Sequence, residues 1–190
     1  MLGTSTRVST PHESIRDIDG HHHRAAEGFA WAAFVVGMLY AAVSVYWGLG
    51  GTLLLDTLGG SLERKGRSGG AAIRLVVWAA AILKMIASVL PLAAVRRLST
   101  PSRDRAVRVV GWVEAGVLTT YGLVLTSVGL LVQANLIHPA VGADRHALAW
   151  HAYFWDPWFL GWGVLVTLAL ARSRHRPMSQ RRLRRQPVEF

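Results

Sequence analysis

The sequence predicts an all-α fold, a bundle of four transmembrane helices with both termini cytoplasmic. Three observations predict it. Of 190 residues, 52% are hydrophobic and 17% charged, a balance unlike that of soluble domains. The apolar residues gather into four runs, and roughly 20 apolar residues suffice for a helix to cross the hydrocarbon layer. Basic residues collect in short segments between the runs, and their asymmetry sets the orientation.

Residues 1–25 are polar, lack apolar periodicity and are expected to form a disordered N-terminus. The first span covers about 28–49. A secretory signal peptide would place its apolar core sooner and keep it shorter, so this run reads as a retained helix. Residues 59–70, rich in glycine and polar side chains, have the composition of a flexible connector. The second span covers about 71–95. The third, about 107–137, exceeds the required length and should tilt or project. The fourth, about 157–171, is short unless its helix begins near 147–153. A basic tail, 173–190, follows. The domain organisation is therefore an N-terminal segment 1–25, a four-helix domain 26–172 and the tail.

Arg96, Arg97, Arg103, Arg105 and Arg108 lie between spans two and three, and Arg172, Arg174, Arg176, Arg181, Arg182, Arg184 and Arg185 follow span four. The other two loops hold only Arg64, Lys65 and Arg67, and Arg145. The positive-inside rule then puts the middle loop and both termini in the cytoplasm of a multi-pass cell-membrane protein. A net charge of +10 would suit nucleic acid. These arginines flank apolar runs instead of striping a surface, so the expected partner is the lipid bilayer, with no nucleic acid. The chain has no cysteine, which excludes disulfides, thiol nucleophiles and iron–sulfur clusters. No glycine-rich phosphate loop, nucleophile elbow or zinc-protease helix occurs, and no cofactor is expected.

Two charges fall inside the runs, Lys84 in span two and Glu114 in span three. Counted from the short loop between the spans, their depths differ by only about 5 Å at 1.5 Å per residue. A lysine stem bridges such a gap, so an intramembrane Lys84–Glu114 ion pair is expected, either fixing helix register or serving a proton or anion step. Glu114, Tyr121, Val128 and Asn135 recur every seven residues as one stripe. Tyr40, Ser44, Trp47 and Gly51 form a second.

The topology puts two aromatic-acidic segments on the same outer face. One is Tyr46-Trp47-Gly48-Leu49-Gly50-Gly51 leading to Asp56. The other is Trp155-Asp156-Pro157-Trp158. Indole rings favour the membrane boundary because one edge is apolar and the other hydrogen-bonds. Asp156 before Pro157 reads as the N-cap of the last helix. Asp56, after Leu53-Leu54-Leu55, reads as a carboxylate kept near apolar surroundings, unfavourable without a partner. His138, His146 and His151 lie nearby but match no named metal motif, so they are weak ligand candidates and no metal is expected.

These segments, with His151-Ala152-Tyr153-Phe154 before Trp155 and Phe159-Leu160 after Trp158, resemble a bacterial family of small four-helix membrane proteins, domain of unknown function 3995. The resemblance covers roughly residues 28–172. It implies a compact inner-membrane bundle and brings no established activity. The leading reading is a non-enzymatic module, more a binding protein than an enzyme. A cavity open to the outer leaflet, lined by Tyr40, Trp47, Asp56, Tyr121, Asn135, Trp155 and Asp156, would hold a lipid or small apolar ligand, or dock a membrane partner as an accessory subunit or homo-oligomer. The alternative is a membrane enzyme using outer-face Asp and His residues, with or without a metal.

Overall fold

The computed structural model describes residues 11–96 and 101–173. In chain order it contains α1 (Pro11–Gly48), α2 (Gly60–Ser68), α3 (Ala71–Arg96), α4 (Pro101–Gln133), α5 (Arg145–Trp150), a π-helical turn (His151–Trp155) and α6 (Asp156–Arg172). The described residues contain no strand. Four helices are long and apolar enough to cross a membrane: His23–Gly48, Ala71–Arg96, Pro101–Gln133 and the rod Arg145–Arg172.

Several boundaries differ from the sequence expectation. Helix α1 starts at Pro11, so residues 11–25 are helical where an irregular segment was expected. Residues 1–10 and the tail from 174 lie outside the described residues. The stretch expected as a flexible connector folds into the polar helix α2, braced by Arg67 Nε on Glu63 Oε1 at 3.0 Å, an i,i+4 pair. Gly69, at φ 66°, closes α2 in the left-handed region. Helix α4 spans 101–133, shifted towards the N-terminus from the expected 107–137.

The last span begins at Arg145, giving 28 residues. Asp144 starts it, its carboxylate accepting from the backbone N–H of His146 at 3.0 Å and of Ala147 at 3.2 Å. That is an N-cap bond pattern. Pro157 would end most helices, because it has no N–H for the Tyr153 carbonyl and its ring crowds the preceding turn. Here a π-helical turn precedes it, the Asp156 N–H bonding back to the His151 carbonyl, and the wider turn carries the helix past the proline.

Two helices end in the same way. At the end of α1, Gly51 N–H bonds to Tyr46 O at 2.9 Å and Gly50 N–H to Trp47 O at 3.0 Å, with Gly50 at φ 94°. At the end of α4, Leu136 N–H bonds to Leu131 O at 2.9 Å and Asn135 N–H to Val132 O at 3.0 Å, with Asn135 at φ 57°. Both are Schellman motifs, which need a left-handed residue just past the helix and favour glycine or asparagine there. The glycine pair of the first aromatic segment is thus a helix stop.

Helix α1 packs between α3 and α6, and α4 packs on α6; the consecutive helices α3 and α4 touch little. The buried seam of α1 runs through Ala26, Ala30, Ala33, Gly37, Tyr40 and Ser44, alternating spacings of four and three as a helix-packing face requires. Small residues allow close approach between helices. Gly37 abuts Ser88 and Trp162, Gly122 abuts the Leu160 backbone, and Gly163 abuts the Thr119 backbone. Large apolar side chains cover the exterior, among them Leu39, Leu75, Leu83, Val113 and Val117. So extensive an apolar exterior on a folded bundle calls for a covering phase.

A methyl group at Gly122 would collide with the backbone of α6, whereas one at Gly116 meets nothing within 4 Å. Gly122→Ala should therefore destabilise the bundle by about 1–3 kcal/mol. Gly116→Ala should be neutral or stabilising by up to about 1 kcal/mol, from helix propensity alone. Reversible unfolding of both variants in mixed micelles measures the contrast.

Candidate functional site

The distal end of the bundle, away from the α1 start and the α6 end, gathers the two aromatic segments. The last turns of α1 supply Tyr40, Ser44 and Trp47. The rod supplies His151, Trp155, Asp156, Trp158 and Phe159. The Tyr40 ring centroid lies 5.6 Å from Trp155, 6.0 Å from Trp158 and 4.8 Å from Phe159. Trp47 lies 5.8 Å from Trp155. Offset and edge-on contacts at these distances are the favourable geometries for aromatic pairs.

Each of three indole N–H groups finds an internal acceptor. Trp47 Nε1 donates to Leu53 O at 2.8 Å, and Trp158 Nε1 donates to Val36 O at 3.2 Å. Trp155, only 2% exposed, donates from Nε1 to Thr57 Oγ1 at 3.0 Å. Thr57 in turn donates to Leu54 O at 2.6 Å. The loop after α1 is therefore tied to the rod by one buried side-chain bond across 98 residues of sequence.

The expected lining residues divide. Tyr40, Trp47, Trp155 and Asp156 come together, but Tyr40, Trp155 and Asp156 are buried in mutual packing. Their centre is filled, where an open cavity was expected. Tyr121 sits at the rim, exposed, with its ring 5.5 Å from Phe159. Asn135 is exposed in the Schellman motif that ends α4, outside the cluster and off the stripe begun by Glu114 and Tyr121. Two shallow hollows on α4 are lined by α4 residues alone, one by Gly116, Val117, Tyr121 and Leu125 and one by Pro101, Arg105 and Val110.

The two aspartates exchange the environments expected for them. Asp156 does not cap a helix: it lies inside the continuous rod at φ −76°, ψ −41°, is buried, and contacts His151 Nδ1 through Oδ1 at 3.4 Å. The π-helical turn makes this possible, since its wider pitch sets residues five apart on one side. Asp56 is exposed, its carboxylate 3.7 Å from His146 Nε2. Its neighbours Leu55 and Thr57 turn inward instead. His138 is exposed in the loop after α4. Among the described residues no group of three histidines or carboxylates is placed to hold a metal ion.

Lys84 does not pair with Glu114. Its Nζ donates to Ser44 Oγ at 2.8 Å and lies 3.9 Å from the Tyr40 ring centroid, a cation–π contact. Helix register keeps the two charges apart. Gly37 joins Ser88 to Trp162, and Gly163 joins Trp162's neighbourhood to Thr119, so these residues mark one level. Lys84 lies one turn to the distal side of Ser88, and Glu114 lies five residues to the other side of Thr119. At 1.5 Å per residue the offset is roughly 13 Å. Equal distances from the connecting loop do not give equal depths, because α4 extends past the ends of its neighbours, with Gly111 already level with Leu170.

Sequence reasoning also missed Thr57 and the His151–Asp156 pair. Neither stands out in composition: the first depends on a tertiary contact and the second on a π-helical turn.

Fold and distal cluster together define an all-helical four-helix bundle of membrane-crossing length, with an aromatic plug at one end. Residues 37–166 match the family described as protein of unknown function (DUF3995), and the chain belongs to that family. The match takes in both aromatic segments. No curated protein and no solved structure matches the chain.

Lys84→Met and Ser44→Ala, which remove the two ends of one contact, should couple by about 0.5–3 kcal/mol in a double-mutant cycle. Lys84→Met and Glu114→Gln should instead add within about 0.5 kcal/mol. Stability measured in bilayers for the singles and doubles distinguishes this register from the ion-paired one.

Proposed function

We propose that this chain is a non-enzymatic multi-pass membrane protein, with both termini cytoplasmic, that holds a lipid against its distal end on the outer leaflet. The observation that carries the reading is the internal satisfaction of the Trp47, Trp155 and Trp158 indoles. Their N–H groups are spent within the protein, so the plug is a rigid apolar platform and not a set of free donors. A ligand therefore lies on the rim of the plug. There Tyr46, Leu49 and Leu53 are exposed beside Trp47, and the exposed Asp56–His146 pair offers polar contacts to a headgroup. Apolar rim and polar tip match the two ends of a lipid at the boundary where aromatic belts form. The arginines at the other end support the orientation through the positive-inside rule.

Since the chain has no cysteine, single-cysteine variants report orientation directly. Thr52→Cys should react with a membrane-impermeant maleimide in intact cells, and Ser102→Cys should react only after lysis; the reverse pattern overturns the orientation. Lipids retained in nanodiscs by wild type should include a species depleted several-fold in Trp47→Ala and in Asp56→Asn. Identical lipid profiles for the three proteins would remove the lipid reading.

A further inference from the structure

Glu114 is the sole acidic residue of α4 beyond Asp104, and the distal plug makes no use of it. Its stem is partly exposed among the apolar side chains Val110, Val113 and Val117. Both carboxyl oxygens are nevertheless buried, and neither has a hydrogen-bond partner among the described residues. Among the described residues the charged groups on α4 and the elements packed with it are placed elsewhere, with Arg74, Arg103 and Arg105 exposed. From α3, Lys84 holds Ser44, and the Arg96 guanidinium lies 5.2 Å from the Trp31 ring. From α6, Arg172 lies over Phe29 at 4.6 Å. On α4 itself, Arg108 bonds Ser173 at 3.2 Å. In the π-helical turn His151 and Asp156 hold one another, and from α5 His146 reaches Asp56; Arg145 is exposed at the distal end.

An ionised carboxylate without a counter-charge or a donor is strongly unfavourable in so apolar a place. The neutral acid costs much less there, since it carries no charge and leaves only one O–H without an acceptor. From this enclosure we propose that Glu114 is a proton-binding site of the bundle, a carboxyl that takes up and releases a proton within the membrane-crossing part of α4. The ligand is the proton. The site lies nearer the end that holds the termini, since one turn away Gly111 meets Leu170, close to the end of α6.

The full-length protein in liposomes tests this with the hydrophobic reagent dicyclohexylcarbodiimide, which reacts with protonated carboxyls. The acid proton passes to a carbodiimide nitrogen and a carboxyl oxygen bonds to the central carbon. The acyl group then shifts from oxygen to nitrogen, giving an N-acylurea with nothing released. Peptide mass spectrometry should place the adduct on Glu114 at neutral pH, with labelling lost at high pH and absent from Glu114→Gln. A water-soluble carbodiimide should label exposed Asp56 and spare Glu114. Adduct formation that ignores pH overturns the proposal. If no adduct forms, infrared spectra recorded as pH is raised decide: a carboxylic C=O band that disappears in wild type and is missing from Glu114→Gln upholds the site. Carboxylate bands at every pH overturn it. Glu114→Gln, which keeps the shape of the neutral acid, should retain the wild-type Tm, so a lost band is not a lost fold.

Discussion

Buried indole N–H groups need acceptors, and an apolar surrounding supplies none beyond the protein itself. The distal end is arranged around that requirement. Trp155 reaches Thr57, Trp47 reaches the Leu53 carbonyl and Trp158 reaches the Val36 carbonyl. These bonds tie the α1 helix, the loop behind it and the rod into one unit, and Tyr40 fills the space between them. The Tyr40 ring also receives the Lys84 ammonium, so α3 joins the same unit. Four polar groups that would each be a liability alone stabilise the association of three segments distant in sequence.

The irregular stretches serve the same end. A Schellman motif turns the chain at Gly50 so that Leu53 and Thr57 arrive beneath the indoles. A π-helical turn rotates the rod so that His151 and Asp156 meet. A regular α-helix through Pro157 would neither satisfy the backbone there nor place these two side chains five residues apart on one side. Local departures from ideal geometry thus position the polar groups of the distal end. Close backbone approach at Gly122 and Gly163 then lets α4 lie against the rod.

Much of the architecture was legible from residue type alone. Four apolar runs translate into four long helices, because length and hydropathy are local properties. The early start of the last span is also readable in hindsight: Asp144 followed by an uninterrupted run to Tyr153 is an N-cap signal, obscured by the conspicuous Asp156-Pro157 pair. The site was less legible. Convergence of Trp47 with Trp155 followed from their shared end of the bundle. The fates of Asp56 and Asp156 did not, since the burial of one carboxylate and the exposure of the other depend on which way a turn faces.

The sequence by itself determined the helical class, the membrane-crossing length of its spans, the charge asymmetry of its loops and the meeting of two aromatic segments at one end. Each is set by composition within a short window. Only the tertiary structure decided that α3 packs on α1 instead of α4, that Lys84 turns to Ser44 and Tyr40, and that Glu114 has no counter-charge among the described residues. Helix neighbours and axial register are set by side-chain packing over the full length of the bundle. A few residues of axial offset are enough to separate two charges by more than a lysine can span.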